Sequence, residues 1–316
     1  MDTCEKSAIY LSLHMFPLTK GVCIIEFPSN LGLKEPYPGH EPGVKYLPDW
    51  LRKHRLHEYI NPSQVLRLDP PPYTMQLDKE SGVRNADLLV DYAIKQDKVL
   101  QQVLEAKQFP FVIGGDCSIL LGPLLSLRQM GKYALFYLDG HTDFIWPSLS
   151  STGGAGGMAA AFAAGKGPKK LTSILNLGPY IKEEHVWCVG NREYEEWYEQ
   201  AIIESKATYL SLARLRADGI KSAVTSFLKM VYSQNLAGFW LHFDVDVLND
   251  EIMPAVDSRT PDGLQYPELH EILLPLLADP KAVGLTITIL DPDLDPTGDY
   301  TTVFVEQINN LFKNLK

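Results

Sequence analysis

Six short apolar runs recur along the chain, at 22–27, 109–115, 133–139, 186–190, 238–246 and 282–290, each rich in β-branched and aromatic residues. Each is too short for a core helix of ordinary length, and together they read as strands buried on both faces. Helical periodicity fills the intervals. From Asn85 to Gln108, for example, Leu89, Ala93, Leu100, Val103 and Leu104 make one apolar stripe. Similar patterns run from about Ser118 to Met130, Arg192 to Lys206, Ile220 to Gln234, Pro267 to Ala278 and Thr301 to the end. Alternation of this kind predicts an α/β fold, three layers α/β/α around a mostly parallel central sheet. The 316 residues show no repeat, low-complexity linker or sharp shift in composition. Residues 1–316 are therefore expected to form a single domain.

Six side chains able to hold metal fall at the expected ends of three of these strands. They are Cys117 in GGDCS, Asp139, His141 and Asp143 in LDGHTDF, and Asp244 and Asp246 in HFDVDVL. Open parallel sheets bind their ligands beyond the carboxyl ends of the strands. Residues i and i+2 of a strand face the same side, so Asp139, His141 and Asp143 are expected to converge, as are Asp244 and Asp246. Four carboxylates in one place raise each other's pKa or require a cation, and a mixed His/Asp set suits Mn, Fe, Co, Ni or Zn better than Mg. A lone cysteine is ordinarily a small buried hydrophobe, and only its place in the motif makes Cys117 a ligand candidate. Asp116 or Ser118 is expected to cap the helix that follows. His242 is expected to point away from the metals.

The motifs GGDxS, DxHxD and DVDxxxxxxxPA, in that order, resemble those of the arginase, agmatinase and ureohydrolase family. FPSNLG and PGHEPGVKYLPDWL near the start, and VGNRE at 189–193, add to the resemblance. It implies an arginase-like fold and two bridged metals, commonly manganese, that turn a bound water into hydroxide for attack on a guanidinium or amidine carbon. By the same resemblance Asp139 and Asp244 bridge the metals, His141 and Asp246 complete one ion, and Asp143 helps to hold the other. His141 and Asp143 are then the catalytic candidates. Three positions depart from the family pattern. Cys117 replaces the histidine of GGDHS, and a thiolate favours zinc, iron or nickel over hard manganese. Gly156 stands where a proton-transferring histidine would fall, and Ile289 where a glutamate would grip the guanidinium. Arg192, Glu195 and Asp291 are the candidate substrate-binding residues, with Glu193 at the rim. Asp291, Asp293 and Asp295 have an alternative reading as a proline-rich turn. Without both guanidinium-binding marks, another guanidine, amidine or amide compound suits the site better than arginine.

Two other function classes compete with a metal-dependent hydrolase of a non-peptide C–N bond. One is a catalytically inactive or regulatory relative that keeps at most a structural metal, motivated by Cys117 and Gly156. The other is a single-metal, deacetylase-like amide hydrolase, against which stands the lack of paired histidines. GGAGGMA has no strand before it, AAGKGP lacks P-loop spacing, and no GxSxG elbow occurs, so nucleotide binding and serine catalysis are unsupported. A formal charge of −10 argues against nucleic acid or an anionic membrane as partner. A small-molecule substrate is expected instead, with a homo-oligomer, trimer or hexamer, implied by the resemblance. MDTCEKSAIYLSLHMF lacks the basic start of a signal peptide, and no stretch reaches the length of a membrane span. Cys4, Cys23, Cys117 and Cys188 are scattered without a CxxC pair, which points to a reducing cytoplasm. The segment from about 28 to 48, rich in proline and glycine, reads as a loop that covers the site.

Overall fold

The computed structural model describes residues 21–315, so the readings made on MDTCEKSAIYLSLHMF and Cys4 lie outside the described residues. Among the described residues one sheet of eight strands organises the fold: β1 Val22–Phe27, β2 Gln64–Arg67, β3 Phe109–Gly114, β4 Tyr133–Leu138, β5 Val186–Val189, β6 Thr208–Leu210, β7 Gly238–Asp244 and β8 Ala282–Thr288. Their order across the sheet is β2-β1-β3-β8-β7-β4-β5-β6. Every pairing is parallel, so the expectation of a mostly parallel sheet is met by one that is entirely so. The six apolar runs are the six inner strands, and β1, β3, β4, β5 and β7 are buried at every residue. That is the pattern of a sheet covered on both faces.

Register shows which helices supply the cover. Ile24 pairs with Phe111, so Phe27, three residues further along β1, faces the other side of the sheet from Phe111. Phe27 meets Tyr92 of helix Ala86–Glu105 edge-on, whereas Phe111 stacks on Phe312 of helix Asp299–Lys313. Phe243 of β7 lies against Phe304 of that same C-terminal helix. Phe227, from helix Ile220–Ser233, is wedged between Phe136, Trp187 and Phe239. The sheet is thus sandwiched between two helical layers, and the three-layer expectation holds.

Sequence periodicity missed the two edge strands. Gln64–Arg67 is largely exposed and carries no apolar run, and β6 has only three residues. Short edges of this kind leave little unpaired backbone for another chain to join. The helix expected over Arg192–Lys206 is shorter, Glu196–Ile203, because Asn191 and Arg192 are drawn into loop contacts described below. Among the described residues no helix is long and apolar enough to cross a membrane.

β1 also carries a buried anion. Glu26 has no solvent exposure and accepts from Arg52 at 2.6 Å and from His57 at 2.9 Å, with Arg67 of β2 at 3.5 Å. Burial alone pushes its carboxyl up, but His57 and Arg52 outweigh this and hold it below the ordinary glutamate value. The ionised form is therefore favoured in the folded state. Its stabilisation is complete above the unfolded pKa of about 4.3 and is lost as pH falls through the lower folded value. Glu26→Gln is expected to cost about 2 kcal/mol at neutral pH, the scale of a hydrogen bond to a charged group. In denaturant titrations, the gap between variant and wild type should close as the pH is lowered below 4; a gap independent of pH would refute the assignment.

Candidate metal centre

The four central strands, β3, β8, β7 and β4, carry the site at their carboxyl ends. β3 runs into GGDCS, where Gly115 lets the chain cross the Ser29 loop; a Cβ there would meet Ser29 O at 1.6 Å. Asp116 then caps the short turn Cys117–Leu120, accepting from Ser118 N at 2.8 Å and from Gly32 N at 3.1 Å. The capping residue is thus Asp116 rather than Ser118. Cys117, behind that cap, is buried.

Asp139, His141 and Asp143 lie beyond the end of β4, in the loop, and strand alternation is not what brings them together. Asp143 adopts a positive φ of 44°, and Gly140 allows the loop to close on its neighbours, since a Cβ there would meet Arg192 Nη1 at 2.4 Å and Asp246 O at 2.8 Å. Asp139 Oδ1 accepts from His141 N at 2.6 Å, and Asp246 Oδ1 accepts from Gly140 N at 2.9 Å. Asp244 ends β7 and caps the next turn by accepting from Asp246 N at 2.9 Å. Backbone donors therefore aim the carboxylates of Asp139, Asp244 and Asp246.

The side chains gather into two groups of donor atoms that share Asp139. One is Asp139, His141 and Asp246; the other is Cys117, Asp139, His242 and Asp244; within each group all donor atoms lie within 4.8 Å of one another. His141 Nδ1 is 2.8 Å from Asp246 Oδ2 and 3.6 Å from Asp139 Oδ1. Cys117 Sγ is 2.7 Å from Asp244 Oδ2, and Thr288 Oγ1 lies 3.3 Å from that sulfur and 3.2 Å from the same oxygen. Asp143 also lines the cleft, with its carboxylate accepting from the Tyr137 hydroxyl. The Tyr198 hydroxyl accepts from Thr142 N at 2.9 Å and Asp143 N at 3.3 Å and so steadies this turn.

His242 does not point away from the centre. It lies two residues before Asp244 in β7, and that spacing puts both on one face of the sheet. Sequence reasoning could have found it by applying the i, i+2 rule to HFD as it was applied to DVD.

The charges are those of a site that favours a cation. Burial, then Asp246, pushes Asp139 up to about 7. Burial and neighbouring carboxylates likewise push Asp143 and Asp244 well above the usual range. Asp246 is the exception: burial pushes it up, yet His141 and Arg192 bring it down to about 2. His141 in turn is raised well above its ordinary value, because Asp246 and Asp139 outweigh the effect of burial. Burial holds His242 down at about 3, so it is a neutral imidazole with a lone pair to offer. Carboxylate, imidazole and thiol donors without enough internal countercharge fit divalent cations.

The candidate substrate residues are placed differently. Arg192 is buried and donates to Asp246 O at 2.7 Å, Leu248 O at 3.4 Å and Thr260 O at 3.0 Å, while its own N–H reaches Gly140 O at 2.9 Å. It clamps three loops together and does not line the cleft. Glu195 is exposed, accepts from the Trp197 indole and starts helix Glu196–Ile203. Asp291 accepts from Gly43 N at 3.0 Å and Asp293 N at 2.9 Å, and Asp295 accepts from Thr301 N at 2.8 Å. This is the turn reading of those aspartates. Glu193 Oε2, by contrast, comes within 3.9 Å of His141 Nε2. Gly156 and Ile289 do line the cleft, whose volume is about 150 Å³, and Leu33 from the 28–48 segment covers part of it. Asp257 stands at its mouth and also borders a larger hollow of about 630 Å³ that contains His40, Asp291 and Asp293. Nothing in the sequence motifs had singled out Asp257.

A parallel α/β sheet with a shared-carboxylate donor cluster at its carboxyl edge defines a class, α/β proteins with a candidate metal centre. The family model described as Arginase family matches residues 23–311, and the chain belongs to that family. It is 25% identical to an arginase of Staphylococcus aureus over 295 residues, 93% of this chain and 97% of that one. The arginase structure from Bacillus caldovelox is 25% identical with a TM-score of 0.82, covering 94% of this chain and 98% of its own. A formimidoylglutamase structure from Bacillus subtilis, 20% identical with a TM-score of 0.69 over 93% and 86% of the two chains, shares the fold. Family membership supports metal-dependent hydrolysis of guanidino C–N bonds as the class of reaction.

Because Asp139 belongs to both donor groups, Asp139→Asn is expected to lose both metal ions, and Asp246→Asn only one. For wild type, a divalent ion at about 100 times its Kd should add roughly 2.7 kcal/mol per site to stability. Calorimetry and elemental analysis check this together: a Tm that rises equally with metal in Asp139→Asn and wild type would contradict the shared-carboxylate geometry.

Proposed function

We propose that the protein hydrolyses a C–N bond of a small guanidino or amidine cation other than arginine. The observation that carries this reading is the pairing of a two-part donor set, joined at Asp139, with a cleft that has Asp257 at its mouth and uncharged Gly156 and Ile289 in its side wall. Divalent metals bound there, manganese by family habit or zinc, iron or nickel by the softness of Cys117, would supply Lewis acidity that lowers the pKa of water. Asp139, Cys117 and Asp244 would hold one ion with help from Asp143; Asp139, His141 and Asp246 would hold the other, with Asp244 as a second bridge by family resemblance.

The chain's own residues account for the remaining steps. Asp143, buried and hydrogen-bonded to Tyr137, is placed to take the proton of the attacking water. Glu193, half-exposed beside His141, offers a route for that proton to solvent in place of the imidazole that Gly156 does not supply. Asp257 faces both the cleft and the 630 Å³ hollow, so it is positioned to pair with a cationic group while the rest of the substrate extends toward Tyr37 and His40. Ile289 gives the inner wall no charge, which disfavours a substrate whose guanidinium must be gripped at that point. The products would be an amine and a urea or amide.

The single continuous sheet supports action as one arginase-like domain. Three free, buried thiols, Cys23, Cys117 and Cys188, support residence in a reducing compartment, the cytoplasm. Assembly as a trimer or hexamer is proposed on family grounds alone.

The test is nitrogen release. Metal-reconstituted protein should be assayed against guanidino acids, guanidino amines, free guanidine, formimino compounds and simple amides. Turnover is expected on a guanidino or amidine compound, with Asp143→Ala lowering kcat at least about 100-fold while the melting profile is kept. Absence of turnover with every metal and compound class would favour the inactive relative, the reading that Cys117, Gly156 and Ile289 motivate.

A further inference from the structure

We infer that His242 supplies the imidazole ligand missing at position 117, so that Cys117, Asp139, His242 and Asp244 form a thiolate-imidazole-carboxylate site that selects zinc, cobalt or iron over manganese. The inference rests on the metal-binding part of the proposed function and is independent of the substrate.

Three observations lead to it. The donor atoms of these four residues all lie within 4.8 Å of one another and every residue is buried. They come from three strand ends: Cys117 follows β3, Asp139 follows β4, and His242 and Asp244 are two residues apart on β7. The ring of His242 is held by stacking on Tyr137, with centroids 4.4 Å apart and planes 5° from parallel. Its orientation is therefore set by the core and not by a rotamer free to swing.

The hydrogen bonding of His242 is the second, independent sign. The residue has no solvent exposure, Nδ1 has no partner, and Nε2 has only the Thr288 hydroxyl at 3.3 Å. That hydroxyl is already shared with Asp244 Oδ2 at 3.2 Å and Cys117 Sγ at 3.3 Å. An orphaned polar atom in the interior costs about 1–3 kcal/mol, and His242 differs from the other histidines with an unpartnered ring nitrogen, His54, His57 and His185, in lying among metal-capable donors. An imidazole whose one hydrogen-bond partner, the Thr288 hydroxyl, already touches the Cys117 thiol and the Asp244 carboxylate is placed to join those donors on a cation. Thr288 then becomes the group that orients the donors from outside the coordination sphere.

The chemistry of the set determines which cation. One sulfur, one nitrogen and two oxygens are the donors of a tetrahedral ion, the geometry zinc prefers, and the thiolate discriminates against hard manganese. Relative to the family pattern read from the motifs, the histidine has moved from the end of β3 to β7, and a sulfur has been added. The other donor group, Asp139, His141 and Asp246, has no sulfur and remains the harder of the two.

Cobalt is the probe that separates the outcomes. Metal-stripped full-length protein titrated with Co(II) is expected to bind two ions per chain, with intense visible bands of a tetrahedral ion and a near-ultraviolet thiolate-to-cobalt charge-transfer band. His242→Ala, and His242→Asn as a second variant that keeps the pocket polar, should each lose the tetrahedral spectrum. Each should weaken one of the two ions by more than the roughly 10- to 100-fold that loss of an outer-sphere partner costs. Cys117→Ser should lose the charge-transfer band, and Cys117→His should shift competition between zinc and manganese toward manganese. X-ray absorption on the zinc-loaded wild type, which needs no variant to fold, should show sulfur at about 2.3 Å together with imidazole scattering. Absence of the sulfur shell, or His242 variants that bind both cobalt ions with unchanged affinity and spectrum, would overturn the inference and leave the metal-dependent reading intact. Failure of the wild type to bind any of these ions would overturn both.

Discussion

Four aspartates, Asp139, Asp143, Asp244 and Asp246, are buried together at the carboxyl edge of one sheet, and their repulsion is the constraint around which the rest of the centre is arranged. Ionised carboxylates removed from water cost several kcal/mol each unless countercharge is at hand. The chain supplies part of it. His141 pairs with Asp246, Arg192 lies close enough to lower the same carboxyl, and backbone N–H groups of Gly140, His141 and Asp246 donate into the cluster. What remains uncompensated sits on Asp139, Asp143 and Asp244, whose carboxyls are all pushed upward by burial. A divalent cation removes that imbalance, so metal binding and stability of this edge are linked quantities.

Placement of the cluster follows from the sheet. The central strands β3, β8, β7 and β4 end side by side, and three of them deliver a ligand motif while β8 delivers Thr288 and Ile289. The loops beyond them are kept in place by buried polar contacts and not by regular structure: Asp116 holds Gly32, Tyr198 holds the turn at Thr142 and Asp143, and Arg192 joins the loops after β4, β5 and β7. Arg192 is therefore a positioning residue. Its guanidinium acts on backbone carbonyls, and its influence on any substrate passes through the loops it fixes.

Around this shared chemistry the cleft is furnished differently from the pattern its motifs resemble. Gly156 and Ile289 leave the inner wall without an imidazole or a carboxylate, while Asp257 puts acid at the mouth and Glu193 lies 3.9 Å from His141. Which ligand such a cleft can hold is set by these walls, and the donor cluster beneath them is a separate matter. Such separation between a retained centre and altered walls is how one fold serves several substrates.

The fold was legible because its inner strands are buried on both faces: the apolar runs that became β1, β3, β4, β5, β7 and β8 need no partner to be recognised. The edge strands Gln64–Arg67 and Thr208–Leu210 were not, since a short and partly exposed strand bears no hydrophobic signature. The candidate donor types and their order were likewise legible in the motifs, because DxHxD and DVD are local patterns. Only the tertiary structure decided how they meet. Asp139, His141 and Asp143 converge through a loop with a positive φ at Asp143, not through strand alternation, and the donors divide into two groups that share Asp139. The long-range choices lay outside the sequence altogether: that Arg192 clamps backbone, that Asp291 caps a turn against Gly43, and that Asp257 reaches the cleft. A sequence fixes what each side chain can donate and which neighbours along the chain share its face. Contacts between residues far apart in the chain, here Cys117 with Asp244 and His242 with Thr288, exist only once the strands are laid side by side and water is excluded between them.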